Sequence, residues 1–154
     1  MAKVLQTLAL LYTLNCPLQN LKTQPMKSSI IFIWLCRILA AAIMLQTLFF
    51  KFSASEESVY IFTQVGIEPW GRIATGIAEL IAACLILYPK TSVFGALMAI
   101  GIMMGAVMSH LFILGIVVKN DGGQLFIYAL LVIAAASYVL WSHRSQLLVF
   151  LPKK

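Results

Sequence analysis

The chain has 154 residues, of which 62% are hydrophobic and only 10% are charged. Soluble domains have about 45–50% apolar and about 25% charged residues, so this composition excludes an ordinary soluble domain and predicts an integral membrane protein. The formal net charge of +6 could suggest a nucleic-acid binder, but the basic residues form no stripe interleaved with aromatic residues. We therefore expect a lipid bilayer, and no nucleic acid, as partner.

The N-terminal leader is predicted to lie apart from the membrane domain. Its apolar stretch VLQTLALLYTL ends at Asn15 and Pro17, before it is long enough to cross a bilayer. It also lacks the basic start and the small-residue cleavage site of a signal peptide. We expect residues 1–27 to be an interfacial amphipathic helix or disordered, residues 28–146 to form the membrane domain, and residues 147–154 to be a basic tail.

Four later segments are apolar over about 20 residues, the length that a membrane-spanning helix needs. The spans are predicted at 29–50, 70–88, 92–118 and 123–142. The second stops before Pro89, and only a few residues separate it from the third, as expected for an antiparallel helix pair. The fold class is therefore all-α, an integral membrane four-helix bundle with short loops.

Basic residues predict the orientation, because they concentrate in cytoplasmic loops. With both termini in the cytoplasm, the inner side receives most of them: Lys3, Lys22, Lys27, Lys90, Arg144, Lys153 and Lys154. The outer side then receives two lysines and most of the acidic residues. We therefore expect a multi-pass membrane protein with both termini cytoplasmic.

Two charged residues fall at mid-membrane in the predicted spans. Arg37 lies near the midpoint of the first span and Glu79 near the midpoint of the second. An unpaired charge in hydrocarbon is costly. The similar depths on antiparallel helices predict an intramembrane ion pair between Arg37 and Glu79.

A second polar set is expected at the outer half of the bundle. Its members come from the outer ends of the spans and from the two outer loops: Lys51, Glu57, Glu68, Arg72, His110, Asn120 and Asp121. One interpretation is a structural network whose loop charges are solvated. The other is a polar cavity, open to the outside, in which these residues bind a ligand.

Other motifs carry little chemistry. Cys16, Cys36 and Cys84 form no CxxC, and no two ligands stand at metal spacing on one helix, so we predict no metal site. His110 and His143 lie near opposite faces, which argues against a bis-histidine haem. The motif GIMMG is a GxxxG, and both packing within the bundle and homodimerisation would explain it.

These residues resemble the DoxX-like family of small membrane proteins over about residues 28–138. The resemblance rests on Arg37, on Lys51 in LFFKF and on Glu79 in GIAELIAACLIL. The segments QTLFFKF, EPWGRI, MGAVMSHLFILGI and NDGGQLF are similar to one bacterial branch, which implies a bacterial cytoplasmic membrane. The family also implies a four-helix bundle with an arginine and a lysine in the first span.

The resemblance implies two functional hypotheses. The family is linked to thiosulfate:quinone oxidoreduction and to sulfur-stress complexes, and distant relatives act as chaperones or cargo factors. One hypothesis is an accessory or ligand-binding subunit that holds a quinone-like or lipid-like molecule or a membrane protein partner. The other is a membrane oxidoreductase component in which His110 or Glu68 shuttles protons. No cofactor motif decides between them, and a quinone fits either.

Overall fold

The computed structural model describes residues 27–144. Residues 1–26 and 145–154 lie outside the described residues, and with them nearly all of the predicted leader and the whole predicted tail. The chain divides into two units, Met1–Ile31 and Phe32–Lys154. The first is described only over the opening residues of one helix, so the architecture below is that of the second unit.

Helices account for nearly all of the described chain, and no strand occurs between residues 27 and 144. The five α-helices and the π-helical turn that extends the fourth are: α1 (Lys27–Phe52), α2 (Glu56–Val65), α3 (Trp70–Leu87), α4 (Ser92–Ser109), the π-helix (His110–Leu114) and α5 (Gln124–Ser142). The predicted all-α fold class is confirmed.

Four of these helices are long and apolar enough to cross a membrane. Their spans are Ser29–Phe52, Trp70–Leu87, Ser92–Leu114 and Gln124–Ser142, so the four predicted spans are confirmed. The third is shorter than expected because Gly115 adopts φ +81° and ψ 169°, a conformation that no helix continues through. The protein is a multi-pass membrane protein.

Helix α2 was not predicted, because its segment was treated as a loop. Local signals for it do exist in the sequence. Ser55 caps the helix by accepting a hydrogen bond from the Ser58 amide at 3.3 Å, and Glu56 and Glu57 occupy the first turn. Gly66 closes the C-terminus with φ +81°. Caps of this kind favour a helix even in a segment of only ten residues.

The interior of the bundle is built mainly from small side chains. The buried core residues include nine alanines: Ala40, Ala41, Ala82, Ala83, Ala96, Ala99, Ala129, Ala135 and Ala136. Small residues let helices approach closely where lipid supplies no hydrophobic driving force. Large apolar side chains such as Leu39, Ile77 and Leu130 are exposed instead, as expected for surfaces that contact lipid.

The bundle has two ends, and each holds one cation of α1, the buried Arg37 or the partly buried Lys51. At the Lys51 end, α1 stops, α3 and α5 begin, and α4 passes into the π-helix. At the Arg37 end, the turn between α3 and α4 lies beside the end of α5. Helix α4 packs against both α3 and α5.

Candidate functional site

A cavity of about 620 Å³ occupies the Lys51 end of the bundle. Side chains from all five α-helices, from the π-helix and from the following loop line it. The helices contribute apolar groups such as Ile43, Ile102 and Met103, whereas charged and polar groups come mainly from the helix ends and loops. The cavity therefore combines an apolar wall with polar groups, the usual composition of a small-molecule site.

Glu79 is the buried carboxylate of this cavity, and Lys51 is its partner. The Lys51 Nζ lies 2.5 Å from Oε1 and 2.6 Å from Oε2 of Glu79. The Thr47 hydroxyl donates to Oε2 at 3.1 Å. Glu79 is only 3% exposed and Lys51 15%, so this pair is shielded from water and its charges neutralise each other.

The predicted ion pair between Arg37 and Glu79 is wrong, because each residue has other partners. Arg37 is buried at the opposite end, where its Nη2 donates to Ser92 Oγ at 3.1 Å and to His143 Nε2 at 3.1 Å. Its guanidinium also lies over the Trp34 ring, 5.1 Å from the centroid. None of these partners carries a negative charge.

The register between α1 and α3 explains the error. Thr47, not Arg37, lies level with Glu79. Arg37 precedes Thr47 by ten residues, which is roughly 15 Å along α1. In addition, helical side chains tilt toward the N-terminus of their helix. The Lys51 side chain therefore reaches back into the bundle, while the Arg37 side chain points away from its middle.

Glu68 and Arg72 were predicted to be site residues, but neither lines the cavity. The Arg72 Nε lies 2.9 and 3.0 Å from the two carboxylate oxygens of Glu68, and a third contact of 2.8 Å joins Nη2 to Oε1. Nη1 donates to the backbone carbonyl of Lys51. Arg72 thus satisfies a carbonyl at the end of α1, where helices leave their last carbonyls unpaired. These two residues fasten α3 to α1.

His110 opens the π-helix and lines the cavity, although its side chain is almost fully buried at 4% exposed. Its Nδ1 lies 2.9 Å from the Gly115 carbonyl oxygen. Because a carbonyl only accepts, Nδ1 must carry the hydrogen, so Nε2 of the neutral ring presents a lone pair. The Phe126 ring packs edge-on against the imidazole at 5.8 Å. The ring is therefore held in one tautomer and one orientation.

Asp121 holds the loop between the π-helix and α5. Its Oδ1 accepts hydrogen bonds from the amides of Val118 and Gly123 at 2.8 Å each, and Oδ2 accepts one from Leu125 at 3.2 Å. Burial raises the pKa of Asp121, but these backbone hydrogen bonds and nearby His110 outweigh burial, so the pKa lies below its ordinary value. Both oxygens are committed to the loop, which makes Asp121 a structural member of the lining.

The two glutamates in the first turn of α2, Glu56 and Glu57, differ in their partners. Lys119 donates to Glu56 at 2.9 Å and lies over the Tyr60 ring, 5.1 Å from its centroid. The hydrogen bond from Lys119 lowers the pKa of Glu56 below its usual value. The neighbouring Glu57 lines the cavity, and over residues 27–144 no cation lies within ion-pair distance of it.

Five of the seven predicted site residues therefore line one cavity: Lys51, Glu57, His110, Asn120 and Asp121. Further polar groups that line the cavity were not predicted: Gln46, Thr47, Ser55, Ser58, Thr75, Ser109, Gln124 and Tyr128. Ser58 begins a pattern at 58, 61, 62 and 65 that lines the cavity along α2. That helical spacing is the signal by which this wall could have been found.

The glycines of the GxxxG motif also belong to the lining. An added Cβ at Gly101 or Gly105 would meet nothing within 4 Å, so close packing inside the bundle is not the reason for this motif. At Gly95, by contrast, a Cβ would lie 2.2 Å from the Ile86 amide nitrogen. The close helix approach of α4 thus depends on Gly95, and the motif borders open space.

Potential metal ligands do not cluster in the part of the chain that the structure describes. No three of its histidine, cysteine, aspartate and glutamate side chains are grouped to hold an ion. Cys36 is buried and Cys84 exposed, and both are free thiols, whereas Cys16 lies outside the described residues.

The DoxX-like family profile matches residues 35–139 of this chain. The match begins just before Arg37, ends near the close of α5 and includes every residue of the cavity. No curated protein and no solved structure matches the chain. Because the match spans well over half of the sequence and the four spanning helices are in place, the chain belongs to the DoxX-like family of membrane proteins.

Proposed function

We propose that this protein is a ligand-binding or accessory membrane subunit that holds an amphipathic molecule, quinone-like or lipid-like, in the cavity at the Lys51 end. The observation that carries this proposal is the cavity itself, about 620 Å³ within a membrane bundle of small core side chains. Small-molecule sites usually occupy about 300–1,000 Å³.

The distribution of lining groups supports an amphipathic occupant. The apolar wall consists of helix side chains such as Ile43, Ile102 and Met103, and the polar groups His110 and Glu57 lie toward the loops. An apolar chain would contact the first set and a polar head the second. In the predicted orientation, the head would lie on the outer side of the membrane.

Filling the cavity tests this proposal. We expect Gly105→Leu to displace the occupant without unfolding the bundle, because a Cβ at Gly105 meets no neighbouring atom. Ala42→Leu is the matched control, since Ala42 is exposed and does not line the cavity. Each protein would be extracted with its lipids in polymer-bounded particles, and bound small molecules would be identified by mass spectrometry.

The expected result is an amphiphile enriched with the wild-type and Ala42→Leu proteins and absent from Gly105→Leu. Equal small-molecule content in all three proteins would contradict a ligand-binding role. Quinone-dependent turnover by the purified protein would instead favour the oxidoreductase hypothesis, in which the same cavity holds a substrate.

A further inference from the structure

Three hydroxyl groups of the cavity donate their hydrogens within the protein. Thr75 donates to the Gly71 carbonyl at 2.8 Å, and Ser109 donates to the Gly105 carbonyl at 3.0 Å. Thr47 has both the Met44 carbonyl and the Glu79 carboxylate as acceptors. A hydroxyl has one hydrogen and two lone pairs. These three side chains therefore offer a ligand lone pairs only.

His110 adds a further acceptor. Its Nδ1 hydrogen is held by the Gly115 carbonyl, and in the described part of the chain no donor forms a hydrogen bond with Nε2. The side chain is more than nine-tenths buried and borders the cavity. Nε2 is not among the fully enclosed polar atoms that lack a partner, so it is open to a donor from a ligand in the cavity.

The charges of the lining also favour a donor. Two lysines and three carboxylates line the cavity, which leaves a net negative charge. Both lysines are engaged, Lys51 by Glu79 and Lys119 by Glu56. Of the carboxylates, Glu79 has Lys51, Asp121 has three backbone amides, and Glu57 has no cation among residues 27–144.

We propose that the cavity selects amphiphiles whose head group donates hydrogen bonds, and above all those with a primary ammonium head, with Glu57 as counter-ion and His110 Nε2 as acceptor. This rests on the proposed ligand-binding function and narrows its ligand class. Among residues 27–144, a carboxylate or phosphate head would meet no unpaired cation at the cavity. A quinone carbonyl could accept from the Ser55 or Tyr128 hydroxyl. It would leave Glu57 and His110 Nε2 unused, whereas an ammonium supplies three donors and a positive charge for them.

The amide side chains of the lining do not change this balance. Gln46, Asn120 and Gln124 each carry donors as well as an acceptor, so they can serve a head of either kind. Contact between α2 and the π-helix brings the elements that carry Glu57 and His110 side by side. One head group can therefore be served by both.

Five probes with the same twelve-carbon chain test the proposal: dodecylammonium, dodecyltrimethylammonium, dodecanol, dodecyl methyl ether and dodecanoate. Binding to the full chain in lipid nanodiscs would be measured by calorimetry, with empty nanodiscs subtracted to remove partitioning into lipid. We expect dodecylammonium to bind most tightly. The ether and the carboxylate should bind at least about ten-fold more weakly, because hydrogen bonds to charged groups contribute about 1.5–3 kcal/mol.

Two variants assign the contacts. His110→Asn keeps a side-chain donor for the Gly115 carbonyl but removes the Nε2 acceptor, so it should weaken dodecylammonium and dodecanol by about ten-fold and spare dodecyltrimethylammonium. Glu57→Gln should weaken both cations and spare dodecanol. Ala42→Leu is again the control, because Ala42 is exposed and does not line the cavity. It should leave the affinities of all five probes unchanged within about two-fold.

The possible failures are distinguishable. Equal or tighter binding of dodecanoate or the ether, or wild-type affinities in both His110→Asn and Glu57→Gln, would overturn the ammonium proposal while leaving a ligand-binding cavity. Binding of no probe above empty nanodiscs, together with no ligand lost in Gly105→Leu, would overturn the proposed function itself.

Discussion

At the Lys51 end, a partly buried ammonium lies 2.5 Å from a carboxylate. At the Arg37 end, the hydrogen-bond partners of a buried guanidinium among residues 27–144 are a hydroxyl and an imidazole. Depth explains the difference. The Arg37 partners are Ser92, the first residue of α4, and His143, just after α5. The guanidinium is therefore level with the helix ends, where water and head groups are near.

Helix α4 shows the same contrast in packing. At Gly95, near the Arg37 end, there is no room for a Cβ, and at Gly105, near the Lys51 end, a Cβ would meet nothing within 4 Å. One end is thus closely packed, and its guanidinium has no counter-ion among residues 27–144. The other is open, and its deep cation is neutralised. A pocket for a ligand needs open space and a neutralised cation, because an uncompensated charge there would dominate the choice of ligand.

The largest expected effect comes from removing Glu79. In Glu79→Leu the Lys51 ammonium loses its counter-ion inside the bundle, and breaking a buried pair in this way destabilises by about 3 kcal/mol. The free energy of unfolding would be measured by titrating sodium dodecyl sulfate into mild-detergent micelles. The double variant Lys51→Met, Glu79→Leu should recover to within about 1 kcal/mol of wild type. A single variant as stable as wild type would refute the pairing.

Gly95→Ala should have the next largest effect. The new Cβ would stand 2.2 Å from the Ile86 amide nitrogen and 2.7 Å from its Cα, and backbone atoms cannot rotate aside, so we expect a loss of about 2 kcal/mol. Gly105→Ala is the control. It should be neutral or slightly stabilising, because alanine is the better helix former. Equal losses in the same unfolding assay would remove the contrast between the two ends.

Much of this architecture could be predicted from sequence, because bilayer thickness fixes the length of each apolar helix. Pro69 and Pro89 flank α3, and such residues mark helix ends in any sequence. Helix α2 escaped prediction because it is too short to give a membrane signal. Its caps and the helical spacing at 58, 61, 62 and 65 are local clues, and they are weaker than hydropathy.

The site was harder to predict because charge positions depend on side chains and register. Depth was assigned from Cα positions, but long side chains tilted toward the helix N-terminus move the charges of Arg37 and Lys51 in the same direction along α1. That shift moves the Arg37 charge away from the middle of the bundle and brings the Lys51 charge into it. The outer cluster Glu68–Arg72 was placed at the right end, but its hydrogen bonds to α1 remove it from the cavity.

A smaller effect is expected from Asp121→Ala in the cavity loop. The native pKa of Asp121 lies below its usual value. The contribution of its carboxylate to the free energy of unfolding is therefore present above the unfolded pKa of about 3.9 and is lost as the pH falls through the native pKa. The variant should lose about 1 kcal/mol at pH 7, and the difference from wild type should shrink as the pH falls through the native pKa. Unfolding titrations across this range measure it. A difference independent of pH would mean that the carboxylate charge does not hold the loop.

The smallest change in the free energy of unfolding is expected from Arg37→Met. Comparing it with the change in Glu79→Leu distinguishes the two ends of the bundle. Burial of Arg37 is incompletely compensated, because its Nε has no hydrogen-bond partner within residues 27–144 and no carboxylate faces the guanidinium. Replacing a buried charge by an apolar side chain of similar volume is often neutral or stabilising. The Ser92 hydroxyl still donates to the Pro89 carbonyl at 3.2 Å, so it keeps a hydrogen-bond partner. We therefore expect stability within about 1 kcal/mol of wild type, against a large loss for Glu79→Leu. A loss as large as that of Glu79→Leu would show that Arg37 has a counter-ion, and the contrast between the ends would then rest on packing alone.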